Sequence, residues 1–171
     1  MIVQTRCIAS LQSLFFNMKE IERKFLVLNE DFKIGSKPIH VLQGYMLYAD
    51  DGHARVRIVD GISAVISIKK HISTVSRWEF EYDIPVADAQ IMLEKLCNGR
   101  IVEKNRYFPE FEGKKWDVDE FLGANAGLIV AEIELDSEDQ YFDKPTWVGE
   151  EVTHDLRYLN VYLAENPYIN W

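Results

Sequence analysis

Cysteine and histidine are scarce in this chain, with two cysteines and four histidines among 171 residues. Cys7 and Cys97 are too few for a disulfide framework and have no metal-binding spacing, which suits a reducing cytosol. His40, His53, His71 and His154 are scattered without zinc-like intervals and are expected on the surface or in turns. No apolar run approaches the ~20 residues of a membrane span, so a soluble, cytoplasmic protein without a membrane partner is expected. Positive charge is also short: 19 Lys+Arg stand against 28 Asp+Glu, a net −9. That balance excludes an open face for a nucleic-acid polymer. A small enclosed basic pocket stays open, because the field inside a cleft outweighs the total charge. Internal repeats and low-complexity segments are missing as well.

What remains is the length and composition of one globular domain. Residues 1–17 contain no acidic residue and share no pattern with the rest of the chain. They lack the apolar core and cleavage site of a signal peptide. They read as an N-terminal extension, expected to be disordered and functionally silent, with a single domain over 18–171.

From Lys19 onward the chain reads as strands joined by turns. Alternation runs over Lys19 to Leu28, Gln43 to Tyr48, Ala54 to Val59, Ile62 to Lys70 and Arg77 to Ile84. Ile101 to Phe111, Lys115 to Leu122 and Leu128 to Leu135 supply further strands. Asp60-Gly61 and Asp51-Gly52 are hairpin signals. A helix is expected from about Val86 to Asn98, stopped by Gly99, and another from about Val152 to Ala164, capped by Thr153. The second could plug one end of the sheet or pack outside it. About eight antiparallel strands with flanking helices suggest an α+β, mainly antiparallel fold whose sheet closes into a barrel.

The alternation carries the chemical signal. Residues two apart on a strand share a face, so Glu20, Glu22 and Lys24 project together. So do Arg55 with Arg57, Ser67 with Lys69, Arg77 with Glu79 and Glu81, Lys104 with Arg106, and Glu132 with Glu134. One such pair is an ordinary solvent face. Six strands with charge at alternate positions instead suggest a polar interior, with apolar residues outward under helices, a second layer or a partner subunit, as in a homodimer. Buried acids and bases must pair with each other or with a ligand. Lys24, Arg55, Arg57, Lys69, Arg77, Lys104 and Arg106 suit a strongly anionic guest. Carboxylates repel phosphate but can hold Mg²⁺ or Mn²⁺, which bridge the two. Together the two sets imply a metal–polyphosphate complex.

The order of these residues resembles the CYTH-domain, or triphosphate tunnel metalloenzyme, family. Glu20-Ile-Glu22-Arg-Lys24 looks like its ExExK opening, and Gln43-Gly44-Tyr45, Arg55-x-Arg57, Lys69 and Arg77-x-Glu79-x-Glu81 come next. Then come Glu103-Lys104-x-Arg106-Tyr107, Trp116-Asp-Val-Asp119, Glu132-x-Glu134, and Arg157-Tyr158-x-Asn160 near the end. The resemblance implies an eight-stranded tunnel, a divalent metal and hydrolysis or cyclisation of triphosphates. It would make Glu20, Glu22, Asp119, Glu132 and Glu134 metal ligands and Lys24, Arg55, Arg57, Lys69, Arg77 and Arg106 phosphate ligands. Tyr45 and Lys104 would form a catalytic pair. Glu79 and Glu81 are expected to orient arginines. The segments match the inorganic tripolyphosphatase branch, and the HFDTP-like segment of class IV adenylate cyclases is missing where His40-Val-Leu-Gln-Gly-Tyr45 stands. A small triphosphate is thus the expected substrate: tripolyphosphate first, a nucleoside or thiamine triphosphate second, cyclisation third. A polyphosphate- or nucleotide-binding sensor without catalysis is the remaining alternative.

Overall fold

The computed structural model describes residues 21–49, 52–71 and 77–171, with the side chains of residues 48, 49, 71 and 77 excepted. The N-terminal extension, Glu20 and the Asp51 turn lie outside the described residues. The strands are β1 (Ile21–Val27), β2 (Ile39–Ala49), β3 (Gly52–Val59), β4 (Ser63–His71), β5 (Arg77–Ile84) and β6 (Ile101–Tyr107). They continue with β7 (Glu110–Phe111), β8 (Lys114–Phe121), β9 (Ile129–Leu135) and β10 (Val148–Glu151). Two helices interrupt the series, α1 (Val86–Leu96) and α2 (Asn160–Glu165).

All pairings are antiparallel, and the sheet runs in the order β10-β1-β9-β8-β6-β2-β3-β4-β5, with β7 attached to β8 alone. It has ten strands rather than eight and is open rather than a closed barrel: β10 and β5 are margins that do not pair with each other among the described residues. The extra strands have local causes. Pro109 has no N–H for a ladder and divides the expected Ile101–Phe111 strand into β6 and β7. The short β10 contains Gly149 and shows no alternation to announce it. The Asp60-Gly61 hairpin forms as expected, with φ of 50° and 69° matching a type I′ turn.

Apolar residues do face outward, under local covers. On the outer face of β1, β8 and β9, Phe25, Trp116 and Ile133 pack with Phe32 and Trp147 from the connecting segments. Outside β3 and β4, Val56, Ile58 and Ala64 meet Ala89, Leu93 and Cys97 at α1. Gly44 of β2 admits that helix: a Cβ there would lie 2.6 Å from Cys97 Sγ and 2.7 Å from Leu93 Cδ2. Beyond α1 the outer face is bare, leaving Ile68, Phe80 and Tyr82 exposed.

The second expected helix is largely something else. Residues 156–158 form a 3₁₀ turn, and α2 is confined to Asn160–Glu165. Thr153 is no cap; its Oγ1 accepts from the Lys24 backbone N–H at 3.1 Å and donates to Glu151 at 2.7 Å. Of the two positions open to it, α2 takes the plug. Val161, Leu163 and Ala164 pack onto Tyr45, Val102, Phe121 and Val130, which belong to the inward face. Buried Asn125 pins this end by donating to the Leu163 carbonyl and accepting from the Tyr168 N–H.

Candidate active site

The inward faces converge on a cavity of about 550 Å³. Of the expected site residues, Glu22, Lys24, Tyr45, Arg55, Arg57, Lys69, Lys104, Arg106, Glu132 and Glu134 all line it. Glu20 and the side chain of Arg77 lie outside the described residues. Leu159, Asn160 and Val161 close the end at α2. Phe108, just after β6, and Gly113, Lys114 and Lys115 of the β7–β8 hairpin also line the cavity.

Two walls can be built strand by strand. On the first, β3 and β4 place Arg55 opposite Ser67, and β5 places Glu81 opposite Ser67 and Glu79 opposite Lys69. Arg55 reaches Glu81 at 3.4 Å and Glu79 at 3.7 Å, while Lys69 holds Glu79 at 2.6 Å. These two glutamates thus orient cations, as expected from the sequence. Arg57 is different. It makes no ion pair or hydrogen bond among the described residues, and its Nε is buried without a partner. Burial, with Arg55 and Arg106 nearby, drops its pKa to about 10. It is still cationic at neutral pH, at a cost that the Glu81 charge offsets only in part.

On the second wall, β1 and β9 set Glu22 opposite Glu134 and Lys24 opposite Glu132, and β8 sets Asp117 opposite Glu132. Lys24 donates to Glu22 at 2.7 Å and also to Glu132. Burial opposes its charge, but the two glutamates prevail and raise its pKa. Like charges directly opposed across strands destabilise a sheet. Carboxylates grouped on three neighbouring strands around one lysine therefore fit a further cation, and hard oxygen donors suit a divalent one. As they stand, no three acidic, His or Cys side chains among the described residues are close enough to enclose a metal.

Asp119, expected among the metal ligands, does not line the cavity. It is fully buried, and its two oxygens accept from Arg106 Nε (2.6 Å), Arg106 Nη2 (2.7 Å) and Lys104 Nζ. Burial resists its ionisation, but the Arg106 and Lys104 charges hold it well below the usual carboxylate range. Its place is behind the cations, fixing them. Lys104 is 1% exposed and also donates to Asn160 Oδ1 at 3.1 Å. Burial and the Arg106 charge outweigh Asp119 and push its pKa down to about 7.

Tyr45 sits at a β-bulge between Tyr45 and Leu47, where Arg100 satisfies the Tyr45 and Met46 carbonyls at 3.2 and 3.1 Å. Burial raises its phenol pKa despite Arg55 and Arg57. It stays protonated, a donor rather than a base.

Several lining residues went unassigned from the sequence. Asp117 lines the cavity and binds Arg106 at 2.6 Å; its position two before Asp119 was a usable sign. His53, expected on the surface, lines the cavity against the Tyr45 ring at 5.3 Å, because its strand continues through Gly52. Lys114 and Lys115 form the end of the β7–β8 hairpin, and that end lies at the cavity. Asn160 had no periodic signal, since it comes after an irregular turn.

Comparison with known proteins bears on this geometry. Residues 18–168 match the CYTH domain model. The chain is 46% identical over 153 residues to an inorganic triphosphatase of Acetivibrio thermocellus, covering 90% of this chain and 97% of the relative. It is 39% identical over 152 residues to an inorganic triphosphatase of Nitrosomonas europaea, covering 86% and 97%. The crystal structure of the inorganic triphosphatase NE1496 superposes with a TM-score of 0.64 at 35% identity, covering 85% of this chain and 93% of that one. A putative adenylate cyclase from Bacillus halodurans shares the fold at a TM-score of 0.53 and 16% identity.

Proposed function

The chain belongs to the CYTH family, and from that membership and its cavity we propose that it hydrolyses inorganic tripolyphosphate to diphosphate and phosphate. The observation that carries this reading is Arg57, whose Nε is buried without a hydrogen-bond partner, which makes no ion pair among the described residues, and which faces a cavity lined by seven other lysines and arginines. A guest rich in negative charge would convert that cost into binding. Inorganic tripolyphosphate is favoured over a nucleotide because both curated relatives are inorganic triphosphatases.

Arg55, Arg57, Lys69 and Arg106 would grip the phosphate oxygens, with Lys24 dividing its charge between substrate and glutamates. Glu22, Glu132 and Glu134, with Asp117 beside them and Glu20 from the same ExExK motif, would hold Mg²⁺ or Mn²⁺. When bound, that cation would neutralise charge on the phosphate chain and orient it. Asp119 is assigned to fixing Lys104 and Arg106, not to the metal. Phosphoryl transfer asks a protein mainly for position and charge neutralisation. Water attacks a terminal phosphorus in line, the P–O bond to the bridging oxygen breaks, and diphosphate leaves. Lys104, with its pKa near 7, can take up the water's proton or return one to the leaving oxygen, while Tyr45 donates to a phosphate oxygen. The cytosol is the compartment that the two thiols suit.

Incubation with tripolyphosphate and with ATP, each with and without Mg²⁺ or Mn²⁺, tests the reading. Metal-dependent phosphate release from tripolyphosphate is expected, and Glu22→Gln should reduce it at least about a hundredfold while the melting temperature holds. Release of diphosphate with a cyclic nucleotide would instead identify a cyclase, and binding without turnover a sensor.

A further inference from the structure

Gln43 precedes Tyr45 by two residues on the inward face of β2 and is completely buried behind the cavity lining. Its Nε2 donates to Tyr45 Oη at 3.1 Å. Its own Oε1 is buried with no hydrogen-bond partner. Gln43 also stands directly across from Arg57, whose Nε is equally without a partner. An orphaned buried amide oxygen is costly, and a leucine or methionine would fill the same space without that cost. The one side-chain hydrogen bond the amide makes among the described residues is the one its N–H₂ gives to Tyr45. A phenol oxygen that accepts from Gln43 has its own proton left to give, and among the described residues Tyr45 donates that proton to no protein group. The direction left for it is the cavity that Tyr45 lines.

We propose that Gln43 is a positioning residue, holding the Tyr45 hydroxyl as an acceptor so that its proton is presented to an oxygen of the bound phosphate chain. The inference rests on the hydrolytic reading and extends it to a residue that touches no substrate. Gln43 acts through Tyr45, so removing the amide should matter only while the phenol is present. The raised pKa of Tyr45 is consistent with this, since an ionised phenolate would have no proton to present.

The test is a double-mutant cycle on the full chain with tripolyphosphate and Mg²⁺: wild type, Gln43→Met, Tyr45→Phe, and both together, with Gln43→Leu as a second replacement. Gln43→Met should lower kcat by about tenfold with KM within about twofold, at an unchanged or higher melting temperature. In the Tyr45→Phe background the same change should alter kcat by less than about twofold. An equal fall in both backgrounds, or no fall in kcat for either replacement, overturns the proposal. A wild-type protein that releases no phosphate would overturn the hydrolytic reading itself, a different result from additive losses in an active enzyme.

Discussion

At the scale of single residues, Arg57 sets function against stability. Arg55, Lys69, Lys104 and Arg106 each have a carboxylate in ion-pair contact, whereas for Arg57 burial and the like charges of Arg55 and Arg106 outweigh the more distant pull of Glu81. Replacing it with methionine keeps the bulk and removes the cost. Arg57→Met is expected to weaken tripolyphosphate binding by about ten- to a hundredfold in calorimetry, since a hydrogen bond to a charged group is worth ~1.5–3 kcal/mol. The ligand-free protein should melt no lower than wild type, and a clear loss of melting temperature would show that Arg57 has a structural partner. Most of the site was legible at this scale. Ten of the expected residues reach one cavity because strand parity alone fixes which way a side chain points. Asp119 shares that parity but is buried beneath the lining, because depth along a strand leaves no mark on the alternation.

At the scale of elements, α1 lies where Gly44 lets it approach. The constraint is space rather than backbone conformation, because the missing side chain would collide with Cys97 and Leu93. Gly44→Ala is expected to destabilise by ~1–3 kcal/mol through overpacking, and to lower the melting temperature by roughly 2–10 °C. Activity per folded molecule should stay close to wild type, since the contact is on the outer face. The sequence revealed α1 nearly to its ends, through a regular stripe and Gly99. It misled about α2, where an apolar pattern between Val152 and Ala164 spans a turn, a 3₁₀ segment and only then a helix. Those apolar residues are explained by the plug they form, a contact between distant parts of the chain that local periodicity does not encode.

At the scale of the whole molecule, acid should loosen the sheet at its β1–β10 margin. Arg23 grips Glu151 in a fork, with Nε to Oε1 at 2.8 Å, and the bond holds that carboxyl down to about 2. Because this pKa lies below that of an unfolded glutamate, the pair stabilises the fold above about pH 4.3 and is lost as pH falls toward 2. Asp119, also shifted downward, acts in the same sense. The melting temperature is therefore expected to decline below about pH 4.5. Glu151→Gln should flatten part of that decline in a pH series of thermal melts. The open sheet was not legible in the sequence. Eight alternating runs and a family resemblance both favoured closure, and whether two margins meet depends on curvature accumulated over all the strands.

The reversed sheet also changes how tolerance to substitution is distributed. Tyr82 and Phe80, which a hydropathy ranking would protect, are solvent-facing and can be exchanged for threonine or lysine with little penalty to the fold. Lys104 and Lys24, which the same ranking would treat as disposable, are enclosed, and truncating either strands a carboxylate beside it. Efforts to improve solubility should accordingly begin at the greasy exterior of β4 and β5 and leave the ionic interior alone.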